Sequence, residues 1–357
     1  MERIPKFKIG DLEAELIQGG MGVGISKGGL AGAVGDEGGI GIIASVALGL
    51  VGLSENYDYK KDYVKANQDA LRDEIRRARR ISNGVIGVNI MHALSDYTSL
   101  IETSVEEEVD LIISGAGIPR DLPQYLNGKD IKLVPIVSSS RVANMICKAW
   151  YKFGHLPDAV VVEGPKAGGH LGFSREELDN PDFVSNGLER IFVEVIDAVK
   201  EYGDIPVIAA GGIFYGSDIK RVLDLGAAGV QMATRFVPTY ECDADDKFKQ
   251  AYVNCKEEDI RIINSPVGMP GRAIVNEFLE RIEGGNGDKF SCYHHCLKTC
   301  NPRESPYCIA NALANAQQGD LDNGFVFAGS NAYKCNEVVS VRDVFESLER
   351  EYSEASG

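Results

Sequence analysis

The chain of 357 residues has one tryptophan, five histidines and no surplus of positive charge: 37 Lys and Arg stand against 53 Asp and Glu, for a net charge of −16. Nucleic acids and anionic membrane surfaces are themselves polyanions, so neither is expected as a partner. The one dense basic stretch, RDEIRRARR at 72–80, reads as the solvated face of a helix. Long apolar runs are also missing. The most apolar segment, GIGIIASVALGLVGL at 39–53, contains four glycines in 15 residues and is too short and too broken to span a bilayer. The opening MERIPKFKIGDLEAELIQGG is too polar for a secretory leader, which predicts a cytoplasmic protein. There the eight cysteines are expected to be reduced thiols, so metal or redox roles compete with plain burial.

What is present is an alternation. Hydrophobic residues make up 44% of the chain and charged residues 25%, enough for a buried core and against disorder. Short apolar runs occur at 15–20, 39–45, 84–90, 109–117, 131–139, 158–164, 205–212 and 229–236. Amphipathic stretches such as 63–81 and 141–154 lie between them. Near-continuous apolar strands alternating with helices indicate a parallel sheet covered on both faces. Eight such units predict an α/β fold, a (β/α)8 TIM barrel over 1–239. Residues 240–323 are charged and cysteine-bearing, with no evident strand run and a helical pattern at 271–285. They read as a helical lid insertion after the eighth strand, and 324–357 as a return to the barrel.

In such a barrel the C-terminal strand ends carry the site. Glycine clusters fall at several of them: Gly19–Gly20, Gly115–Gly117, Gly168–Gly169 and Gly211–Gly212. One such cluster is ordinary turn chemistry, whereas several together suggest backbone approaching a ligand. AAGGI at 209–213 and GAAGVQMATRF at 226–236 end the seventh and eighth runs, where barrels bind phosphate on backbone N–H groups. Gly211, Gly212, Ala233 and Thr234 are the expected donors. In EGPKAGGHLG at 163–172, His170 follows a bare Gly-Gly pair, a placement suited to a histidine beside a planar ligand.

QGGMG (18–22), LAGAVGDEGGIGIIAS (30–45), GVNI (87–90), VEGPKAGGHLG (162–172), AAGGI and GAAGVQMATRF occur in that order. Together they resemble the nitronate monooxygenase family, formerly 2-nitropropane dioxygenases, related to FMN-dependent enoyl-acyl-carrier-protein reductases. The resemblance implies FMN at the strand C-termini. It sets Gly20, Met21 and Asn89 against the flavin ring and Lys132 near its N1–C2=O edge. Glu163, Gly168 and Gly169 would line the cofactor, with Gly211, Gly212, Ala233 and Thr234 at the phosphate. Ala233 stands where the family usually has glycine, and FAGSNAY at 327–333 departs from a usual Gly-Gln pattern.

The same resemblance makes His170 catalytic. A neutral imidazole can abstract an acidic α-proton, and an imidazolium can steady a developing anion. The expected reaction is oxidation of alkyl nitronates or nitroalkanes by O2 to carbonyl compounds and nitrite. NAD(P)H-dependent enoyl reduction at the same flavin is the alternative, and a non-catalytic flavin or metal redox sensor is a third class. CYHHCLKTCNPRESPYC places Cys292, Cys296, Cys300 and Cys308 together, the first three at a four-residue spacing that a helix would align. Zinc or an iron–sulfur cluster is weighed there against plain burial. The partners expected are a small-molecule substrate with O2 or NAD(P)H, and a homodimer is left open.

Overall fold

The computed structural model describes residues 3–52, 59–287 and 289–357. Each of the eight apolar runs contains a strand: Ile17–Gln18, Gly41–Ala44, Ile86–Met91, Leu111–Gly115, Lys132–Val137, Val160–Glu163, Val207–Ala210 and Gly229–Met232. These are the first to eighth barrel strands. They pair in parallel in chain order, and the eighth pairs with the first, Gln231 opposite Ile17. Ile17 bridges Ile40, with Gln18 N donating to Ile40 O at 3.0 Å and Ile40 N to Leu16 O at 2.9 Å. That bridge closes the ring into a (β/α)8 barrel.

Alternation along the strands sends Ile17, Ile42, Leu111, Ile113, Val134, Val161 and Ile208 into the barrel interior, all fully buried. A hairpin, Phe7–Ile9 with Leu12–Ala14, plugs the N-terminal end by adding Phe7, Ile9 and Ala14 to that cluster. The outer helices follow the sequence pattern closely. Tyr63–Ile81 is capped by Asp62, which accepts from Lys65 N at 3.0 Å, and it buries Ala66, Ala70, Leu71, Ile75 and Ala78. Most of its basic run faces outward, Arg72 pairing with Glu106 at 3.0 Å and Arg76 with Glu107 at 2.8 Å, whereas Arg77 turns in to the buried side chain of Asp243 at 2.7 Å. Exposed pairs of this kind contribute ~0–1 kcal/mol each, so the apolar stripe, worth ~1.5–3 kcal/mol per large side chain, holds the helix to the sheet.

The segment after the eighth strand differs from its expected all-helical character. It carries helices Asp246–Asn254, Glu277–Glu283 and Ile309–Gln317, but also an antiparallel hairpin, Ile260–Asn264 with Pro270–Ile274. The 271–285 pattern is therefore part strand: Gly271–Ile274 is extended, and Asn276, accepting from Leu279 N, starts a helix only at Glu277. The β-branched run IRIIN and a reversal at Gly268, whose φ is +81°, specify the hairpin. Strand Pro270–Ile274 also pairs with Gly169–His170 and with Val326–Phe327. A small antiparallel sheet thus crosses the mouth of the barrel and meets the histidine motif edge-on. The last helix, Val341–Ser356, returns to pack Leu348 and Tyr352 against helix Gly216–Asp224.

Candidate functional site

The C-terminal ends of the barrel strands open into one cavity of about 300 Å³. Gly19–Val23 line it after the first strand, Ala44 and Val46 at the second, Asn89 and Met91 at the third. Gly115 and Ala116 follow, then Ile136, Glu163, Lys166 to His170, Ala210 to Ile213, and Gln231 to Thr234. Phe327–Gly329 and Asn331 of the returning chain and Leu297, Ile309 and Leu313 of the insertion roof it. Of the positions expected from the sequence, the structure therefore brings together Gly20, Met21, Asn89, Glu163, Gly168, Gly169, His170, Gly211, Gly212, Ala233 and Thr234.

Tight backbone approach explains two of the glycines. A Cβ on Gly20 would sit 2.5 Å from Asn89 Cβ, and one on Gly168 would sit 2.6 Å from the backbone of Ala328 and Gly329. Gly211 and Gly212 have φ of +86° and +97°, which an L side chain adopts only under strain. The Gly212, Ala233 and Thr234 N–H groups have no backbone acceptor among the described residues. Gln231 Oε1 is buried without a partner on the same wall. Asn331 Nδ2 donates to Gly212 O at 2.8 Å, and Ser330 N to Lys166 O at 3.1 Å, so the departing FAGSNAY segment ties this end together. Unspent N–H donors and an orphaned amide facing one cavity fit a ligand with an anionic end and hydrogen-bonding ring edges, as FMN has.

His170 lies at the cavity wall on the two-residue strand that meets the insertion. Its Nε2 is 2.7 Å from Ser265 Oγ, and Phe327 packs edge-on at 5.0 Å between ring centroids. Burial, with no carboxylate acting on it, lowers its pKa to about 4, so the imidazole is neutral at physiological pH. Burial raises the Glu163 carboxyl to about 7, which leaves it partly protonated there. Lys166 also lines the cavity, its pKa lowered by burial and then by Arg221. Lys166, Gln231 and Asn331 lie within the quoted motifs but were not singled out there, and Ser265 carried no sequence signal because its contact with His170 joins segments far apart in the chain.

Two expectations are corrected. Lys132 opens the fifth strand at its N-terminal end, whereas the cavity lies at the C-terminal ends. Its Nζ pairs with Asp130 at 2.6 Å and Asp11 at 2.9 Å, tying down the N-terminal hairpin. Cys292, Cys296 and Cys300 share no helical face, because no helix forms there and His295 takes a positive φ of 48°. Among the described residues no group of three or more His, Cys, Asp or Glu could hold a metal ion, so the zinc and iron–sulfur expectations fall. Cys296 lines the cavity, its thiol pushed up to about 12 chiefly by burial. Among the described residues no helix is long and apolar enough to cross a membrane.

A (β/α)8 barrel with a strand-end cavity and a histidine on its wall defines the scaffold, and the family match makes the class a flavin-dependent oxidoreductase. The particular family follows from comparison with known proteins. The family model described as nitronate monooxygenase matches residues 4–351, and the chain belongs to that family. A probable nitronate monooxygenase of Staphylococcus aureus (strain Newman) is 28% identical over 78% of this chain and 79% of its own. A (3aS,4S,5R,7aS)-5-hydroxy-7a-methyl-1-oxo-octahydro-1H-indene-4-carboxyl-CoA dehydrogenase of Mycobacterium tuberculosis is 28% identical over 80% of this chain and 69% of its own. Among solved structures, FabK from Thermotoga maritima superposes with a TM-score of 0.76 at 28% identity, covering 98% of this chain and 95% of its own. Nitroalkane oxidase from Streptomyces ansochromogenes shares the fold, with a TM-score of 0.72 at 24% identity and 96% of both chains covered.

Proposed function

We propose that the protein binds FMN in the strand-end cavity and oxidises alkyl nitronates, or nitroalkanes after proton removal, with O2 to carbonyl compounds and nitrite. The observation that carries this reading is a neutral, half-buried His170, fixed by Ser265, in the same cavity as the unspent N–H groups of Gly212, Ala233 and Thr234. Those N–H groups, with Gly211, would hold the phosphate, Gly20, Met21 and Asn89 would lie against the ring, and Glu163, Gly168 and Gly169 would line the cofactor. Bound FMN supplies the electron acceptance and the reaction with O2 that side chains lack.

The protein's own part is to hold the substrate carbon and to move one proton. In the tautomer whose Nε2–H donates to Ser265 Oγ, the Nδ1 lone pair is left to take an acidic α-proton from a neutral nitroalkane. A neutral imidazole carries no charge with which to clamp a preformed nitronate, so His170 acts as base rather than counter-ion. The apolar roof of Leu297, Ile309 and Leu313 excludes water and favours small apolar substrates over polar ones.

NAD(P)H-driven reduction of an enoyl thioester is the second reading. It draws on the similarity to a dehydrogenase named for a carboxyl-CoA substrate and to FabK. Oxygen uptake with nitrite release from an alkyl nitronate supports the first reading. Oxidation of NAD(P)H dependent on an enoyl thioester, without nitrite release from nitronates, replaces it with the second.

A further inference from the structure

Arg272 lies on the insertion strand Pro270–Ile274, is 5% exposed, and faces no carboxylate among the described residues. A guanidinium taken out of water in this way is normally paired with an anion. Here its Nη1 donates instead to two carbonyls of the histidine loop, Pro165 O at 2.8 Å and Ala167 O at 2.5 Å. The backbone of the same residue is equally committed. It pairs opposite Gly169, and its carbonyl accepts from Ala328 N at 3.1 Å. One residue thus joins the histidine loop, the insertion and the returning chain.

The direction of those two bonds matters. In a trans peptide the C=O and the following N–H point opposite ways, and neither peptide here is cis. By drawing the Pro165 and Ala167 oxygens to itself, Arg272 turns the Lys166 and Gly168 N–H groups away from its guanidinium. Neither N–H has a backbone acceptor among the described residues, and both residues line the cavity. A Cβ on Gly329 would lie 2.7 Å from Thr234 Oγ1 and 3.8 Å from Gly168 N, and one on Gly212 would lie 2.7 Å from Lys166 Cβ. Lys166 and Gly168 therefore sit at the Gly212–Thr234 end of the cavity. The charges acting on Lys166 there are Arg221, Lys334 and Arg272 against Asp218 alone.

We propose that Arg272 is a positioning residue for the phosphate of the cofactor. It aims the Lys166 and Gly168 N–H groups at that phosphate and supplies a buried positive charge whose counter-ion is the phosphate itself. The inference rests on the FMN reading above and adds a residue from the insertion to the anion site, so that cofactor and roof assemble together.

Flavin-fluorescence titration with FMN and with riboflavin, which lacks the phosphate, tests it on the wild type, R272M and R272K. Loss of the buried charge and of the two Nη1 hydrogen bonds predicts FMN affinity lowered roughly tenfold or more in R272M, with riboflavin affinity within about twofold of wild type. R272K keeps the charge on a shorter side chain without Nη1 and should fall between R272M and the wild type. Should R272M fail to fold by circular dichroism, the FMN-to-riboflavin affinity ratio of R272K decides the matter. Equal loss for both flavins, or no loss for either, overturns the inference and leaves Arg272 a structural tie. A wild-type protein that binds neither flavin overturns the cofactor reading itself, and this inference with it.

Discussion

His170 is set by its surroundings more than by its position in the sequence. Burial against Phe327 and the insertion removes the solvation an imidazolium needs, and Ser265 fixes Nε2. His170→Asn is expected to lower kcat/KM on a neutral nitroalkane at least ~100-fold, the usual worth of a general base, and far less on the preformed nitronate. Ser265→Ala, which removes one orienting bond, should cost the nitroalkane reaction about 5–10-fold. The same residue links stability to pH. Its folded pKa of about 4 lies below the ordinary 6.5, so its neutral form stabilises the fold fully above pH 6.5. That contribution is lost as pH falls from 6.5 towards 4. Glu163, raised to about 7, acts oppositely: it loses stability as pH rises from 4.5 through 7. In flavin-free protein the change in Tm from pH 7 to pH 5 should therefore be less destabilising in His170→Asn than in the wild type, Glu163 acting alike in both. Equal changes would show that His170 is not held neutral.

At the scale of elements, glycine contacts decide which segments can meet. Gly168 lets the histidine loop touch the backbone of Ala328 and Gly329, and a methyl there has no room. Gly168→Ala should lower stability by ~1–3 kcal/mol and weaken flavin retention together, measurable by thermal melting and by flavin released on dialysis. Gly169→Ala, whose Cβ would meet nothing within 4 Å, pays only for its φ of +72° and serves as the control. The eight barrel strands were legible in the sequence because they are short apolar runs alternating with amphipathic stretches, several of them closed by glycine or a small polar residue. The hairpin at 260–274 was not, because GRAIVNEFLERIEGG continues an apolar spacing across the strand-to-helix boundary at Asn276. The cysteine ladder misled for a related reason: a four-residue spacing aligns side chains only if a helix forms, and His295 interrupts it. Lys132 failed on polarity of the strand. Its residue type suits a flavin edge, but it enters the strand at the end away from the cavity. Ser265 and Arg272 were invisible because their partners at 165–170 lie about a hundred residues away and meet them only through antiparallel pairing.

Taken whole, the molecule is a closed barrel whose insertion and C-terminal return converge on one rim of one cavity. The barrel supplies backbone N–H groups at fixed places, and the insertion supplies Ser265, Arg272 and the apolar roof. The central claim is that this rim, loaded with FMN, oxidises a carbon acid beside a nitro group. Its most direct test is simultaneous measurement of oxygen uptake and nitrite release by the FMN-loaded protein supplied with an alkyl nitronate. The account predicts nitrite formed in step with oxygen consumed, with no NAD(P)H required. Neither nitrite nor oxygen uptake from a protein that demonstrably holds FMN would contradict it.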